Sequence, residues 1–105
     1  MKEPAPLPVP VAVTPELLRR LFDAMQIFEK LHDGFFTARL FWQSSNSPAH
    51  LSVGSVSQMW EYLTSDGVVF ARLHQYRNRS GESIGRPDPK YLRLNQVALY
   101  TTASR

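Results

Sequence analysis

The sequence predicts an α+β fold, with one N-terminal amphipathic helix packed on a mostly antiparallel sheet of four to five strands. Three observations predict it. Leu17, Leu18, Leu21, Phe22, Met25, Phe28 and Leu31 recur at helical spacing. Later segments alternate apolar and polar residues over strand lengths. Short links join those segments, which favours sequential neighbours over crossovers. The chain of 105 residues has room for one core. Its 43% hydrophobic and 20% charged residues are ordinary for a globular domain.

Residues 1–13 read as a proline-rich arm or strap, and residues 14–105 as a single α+β domain. Pro4, Pro6, Pro8 and Pro10 fix the backbone and keep this segment extended. Leu7, Val9, Val11 and Val13 give it one apolar face, with which it can lie against the domain. The proline period of two lacks the PxxP spacing of an SH3 ligand.

The helix is expected near residues 15–32. Thr14 can accept from the free N–H groups, Pro15 suits the first helical position, and Glu16 favours the positive end. Gly34 stops it, and His32 complements the negative end. The Met and Phe stripe is core, because an amphipathic helix needs such a face to pack.

Residues 35–43 alternate as a strand, 44–48 form a loop, and 50–56 alternate weakly as a second strand, with Gly54 marking a bulge. Asp66-Gly67 turns a hairpin between residues 59–64 and 68–76. A short helix at 56–63 competes for its first arm. In the second arm Val69, Ala71 and Leu73 share one face, and Phe70, Arg72, His74 and Tyr76 the other. Residues 78–89 carry turn chemistry throughout. Leu92 and Leu94 are even while Val97 and Leu99 are odd, so a turn or bulge at Asn95–Gln96 must separate two short strands. Leu40, Trp42, Leu51, Val53, Val69, Leu73, Leu92, Leu94, Val97 and Leu99 are expected to meet the helix. One helix cannot cover both faces of a sheet. Phe41, Trp60, Tyr62, Phe70 and Tyr76 on the bare face would form an aromatic patch, of the kind that meets a partner.

Several chemistries are excluded. There is no cysteine, hence no disulfide, thiolate site or cysteine nucleophile. His32, His50 and His74 miss the common zinc spacings, so no metal is expected. Gly81 and Gly85 lack the Gly-Lys-Ser/Thr ending of a phosphate loop, and no G-x-S-x-G is present. No cofactor is expected. No apolar run approaches the roughly 20 residues of a membrane span. The N-terminus lacks the continuous apolar stretch of a secretory signal, which suggests a cytoplasmic protein.

The charge is uneven. Residues 72–93 hold six basic residues against two acidic ones, while residues 1–71 hold five against seven. Arg72, His74, Tyr76, Arg77, Arg79, Arg86, Lys90 and Arg93 are the expected binding residues, at one edge of the aromatic face and on a long loop stiffened by Pro87 and Pro89. The leading reading is a small non-enzymatic binding module that docks a nucleic acid or a protein partner. A second reading is a metal-independent ribonuclease or toxin-like enzyme, with His74 and Tyr76 moving protons and Arg72 steadying the phosphorane. A third is a homodimeric or accessory interaction protein. A solvated loop, with Glu82 and Asp88 pairing locally, accounts for the same residues without any ligand.

Overall fold

A computed structural model describes residues 7–44 and 46–102. The architecture is α+β: two helices pack on one face of a six-stranded mixed sheet. The elements run β1 (Val9–Ala12), α1 (Pro15–Ala24), α2 (Ile27–His32), β2 (Thr37–Gln43), β3 (Val56–Leu63), β4 (Val69–Arg77), β5 (Ser83–Leu94) and β6 (Val97–Tyr100). Strand order is β1-β6-β5-β4-β3-β2. Four pairings are antiparallel, and β1 lies parallel to β6. The extra strand over the sequence expectation comes from the proline segment. Its residues 9–12 join the sheet, while Pro4 and Pro6 lie outside the described residues.

Helix α1 begins as expected, with Leu17 N donating to Thr14 Oγ1 at 3.1 Å and Pro15 in the first turn. The single expected helix is in fact two. Gln26 takes a left-handed φ of 54° and breaks the run, so α2 can turn across the sheet. Leu18 and Phe22 of α1 and Ile27 of α2 are buried against Tyr62, Ala71, Leu73, Leu92 and Leu99. Phe28 meets the Tyr62 ring edge-on at 6.3 Å. Burial pushes the Tyr62 hydroxyl up to about 12, so it stays neutral in this core.

The β3–β4 hairpin forms over Thr64–Val68, with Gly67 at φ 83°. Residues 56–63 are therefore strand, not helix. Residues 50–55 are loop rather than strand, and Val53 is exposed. Leu40 and Trp42 also fall outside the core: β2 is the edge strand, and a bulge between the two sets Trp42 opposite Met59, on the face away from Trp60. The two-residue turn at Asn95–Gln96 has Asn95 at φ 53°. It sets Leu92 against Leu99 and Leu94 against Val97, as the change of parity requires.

The largest correction concerns residues 78–89. A five-residue turn at 78–82 replaces the expected long loop, and β5 carries Gly85, Pro87 and Pro89 inside a strand. Asn78 organises the turn: its Oδ1 accepts from Ser80 N at 3.0 Å and Glu82 N at 2.9 Å. Prolines fit in β5 because β6 pairs only with its last residues, leaving the first part with one free edge.

Candidate binding face

Cross-strand register assembles the helix-free face. Arg39, Glu61, Arg72, Tyr91 and Tyr100 stand opposite one another in one row across β2, β3, β4, β5 and β6. Side chains in such a row share a face. Arg93 follows Tyr91 by two residues on the same strand and lies on that face too.

Glu61 is the anchor of the row. Arg39 donates to its Oε1 through Nε at 3.0 Å and through Nη2, and Arg72 donates from Nε to its Oε2 at 3.0 Å. Glu61 is buried, although its sheet face carries no helix, because the two arginines roof it. Burial by itself pushes the carboxyl up. The hydrogen bonds and charges of Arg39 and Arg72 outweigh it and hold Glu61 below its ordinary value.

The arginines keep outward donors. Their side chains are 57% and 42% exposed, and a guanidinium has more N–H groups than Glu61 consumes. Arg72 also lies 5.0 Å from the Tyr91 ring centre and 5.8 Å from that of Phe41. Phe41 and Trp42 are exposed beside it.

The expected binding residues separate into different places. Arg72 and Arg93 are on this face, with Tyr91, and the unbroken β3–β4 register puts His74 and Tyr76 on it as well, opposite Met59 and Ser57. His74 hydrogen-bonds Ser57 through Nε2, and its ring meets Tyr76 at 4.6 Å; Tyr76 in turn meets His50 at 5.2 Å. Arg77 turns to the helix side, where its Nε donates to Gln58 at 2.9 Å and its guanidinium faces Trp60 at 5.6 Å. Arg79 packs on Gly54. Arg86 bonds Asp23 of α1 at 2.8 Å, and Lys90 bonds Asp88 at 2.9 Å. The positive charge of 72–93 is thus dispersed over both faces and one turn.

Trp60, Tyr62 and Phe70 are also misplaced by the sequence reading. Trp60 and Tyr62 pair with Leu73 and Ala71 on the helix side. Phe70 stacks on Phe36 at 4.8 Å, because a bulge in β4 turns it toward the core. The residues that sequence reasoning passed over are Arg39, Glu61, Ser57 and His50. Alternation within 56–63 would have placed Glu61 and Ser57 opposite Trp60 and Tyr62, had a helix not competed there.

A second concavity of about 700 Å³ opens where residues 85–87 of β5 swing away from β4. It is lined by Pro15, Glu16 and Arg19 of α1, with His74, Gln75, Tyr76, Arg86 and Asp88. Both of its arginines are paired: Arg19 with Asp88 at 3.2 Å and Arg86 with Asp23. His74 and Tyr76 reach this cleft, but Arg72 points to Glu61 and Tyr91. The three groups of the ribonuclease reading are therefore directed at different neighbours. Among the described residues no cluster of potential metal ligands occurs, and no helix is long and apolar enough to cross a membrane.

No family model matches this chain, and no curated protein or solved structure matches it.

Proposed function

We propose that the chain is a non-enzymatic binding module whose helix-free sheet face takes single-stranded nucleic acid. The observation that carries this reading is the Arg72 guanidinium, stacked on Tyr91 and tied at Nε to Glu61. That arrangement presents a flat cation beside exposed aromatic rings. Bases of a single strand stack on such surfaces whatever their sequence, and phosphates take the remaining guanidinium donors. Arg39, Arg72 and Arg93 supply cations along the row, against the single buried carboxylate of Glu61. A duplex hides its base faces and gains only the phosphate contacts.

Fluorescence anisotropy of labelled single-stranded RNA and DNA tests the reading. Binding is expected at low salt, falling steeply as salt rises, with a duplex of the same length bound more weakly. Flat titrations at low salt would remove nucleic acid as the ligand. Shortening of the RNA without added metal would favour the hydrolytic reading at His74, whose Nε2 is hydrogen-bonded to the Ser57 hydroxyl.

A further inference from the structure

Resting on the single-strand reading above, we propose that the nucleic acid runs lengthwise along β4. It passes from a first stacking platform at Arg72 and Tyr91 to a second at Tyr76.

β4 differs from its neighbours on the helix-free face. Its register with β3 is unbroken from Ala71 to Arg77. Arg72, His74 and Tyr76 therefore occupy successive outward positions on that face. Each carries a flat group of the kind on which bases stack. The facing positions of β3 hold Glu61, Met59 and Ser57, which have no such group. β2 and β5 lose their alternation at the bulges of Phe41 and Lys90.

The second platform is braced, as the first is. Tyr76 meets His74 edge-on at 4.6 Å, and His50 of the 46–55 loop edge-on at 5.2 Å. His74 is held in turn by its bond to Ser57. A ring fixed by two neighbours gives up little freedom on meeting a base. Both acids beside this path are paired. Glu61 is bonded to Arg39 and Arg72, and Asp88, across from His74, is bonded to Arg19 at 3.2 Å and Lys90 at 2.9 Å.

The spacing sets a length for the ligand. Arg72 and Tyr76 are four residues apart, about 13 Å along the strand. A stacked strand advances ~3.4 Å per nucleotide, so about five nucleotides reach both platforms. A dinucleotide reaches only one.

Anisotropy titrations at low salt with labelled oligouridylates of two, five and eight nucleotides test the path. The pentamer should bind at least about tenfold tighter than the dimer, and the octamer within a few-fold of the pentamer. Tyr76→Ala should weaken the pentamer about five- to 150-fold, the loss of one stacked base, and Tyr76→Phe should stay within a few-fold of wild type. Photocross-linking of the wild-type chain to the pentamer decides the matter if Tyr76→Ala fails to fold, with adducts expected at both Tyr91 and Tyr76. Binding that survives Tyr76→Ala, or adducts at Tyr91 and Tyr100 with none at Tyr76, would overturn this path and leave the single-strand reading standing. If none of the three oligouridylates binds the wild type, both fall.

Discussion

Arg72 lies with its guanidinium carbon 5.0 Å from the centre of the Tyr91 ring, directly across the β4–β5 pairing. Glu61 holds the Nε side of the same guanidinium from β3. One residue is thus fixed from two neighbouring strands, which limits the ordering entropy a ligand must offset on meeting it.

The first prediction concerns that stack. Tyr91→Ala should weaken single-strand binding by about 1–3 kcal/mol, the range for losing one base-stacking ring. Tyr91→Phe should bind within a few-fold of the wild type. Arg72→Lys should bind less well than wild type, because an ammonium neither stacks nor forks. Anisotropy titrations at one fixed salt concentration measure all three.

Glu61 makes stability depend on pH. Its folded pKa lies below the ordinary 4.5. A carboxyl of this kind contributes stability that is fully present above its unfolded pKa and lost as pH falls through the folded one. Glu61→Gln is expected to cost roughly 1.5–3 kcal/mol near neutral pH, since it breaks charge-assisted hydrogen bonds. The gap between wild type and Glu61→Gln should narrow below about pH 4.5. Urea midpoints at neutral and acidic pH check the sign; a gap that widens in acid contradicts this account of Glu61.

Gly54 has φ +92°, and a Cβ there would stand 2.9 Å from Arg79 Cβ. Gly54→Ala is therefore expected to destabilise by about 1–3 kcal/mol, from backbone strain and overpacking together. Val53→Ala, next to it and 86% exposed, should stay within about 0.5 kcal/mol of wild type. Urea denaturation of the pair reads whether the 46–55 loop is packed on the 78–82 turn.

Gln26 occupies the left-handed region without being glycine. Gln26→Gly should leave stability unchanged or raise it by up to about 1 kcal/mol, and Gln26→Val should lower it. Thermal melts of the two variants test whether this residue sets the break between the helices.

Much of the fold is legible in the residues. Thr14-Pro15 fixes the start of α1, Asp66-Gly67 fixes a hairpin, and the parity change from Leu94 to Val97 fixes a two-residue turn. Three features are not legible, each for a physical reason. Gln26 carries no glycine or proline signal, so the helix break is invisible. Gly85, Pro87 and Pro89 speak for a loop, yet a strand with one free edge tolerates all three. A β4 bulge returns Phe70 to the core, and no pattern of period two shows a bulge. The candidate site suffered most from charge counting. Arg77, Arg86 and Lys90 enrich 72–93 in sequence, but Arg77 and Arg86 turn to Gln58 and Asp23 on other elements, and Lys90 pairs locally with Asp88. Arg39 and Glu61, outside that stretch, join Arg72 only through strand register.

The central claim is that the helix-free face, and not the 78–82 turn or the cleft beside α1, takes the ligand. Amide and side-chain NMR shifts during titration with single-stranded RNA test it most directly. The account predicts that the largest shifts fall at Arg39, Phe41, Arg72, Tyr91 and Arg93. Shifts concentrated at Arg79, Arg86 and Arg19, with the Arg39–Tyr91 row unmoved, would contradict it.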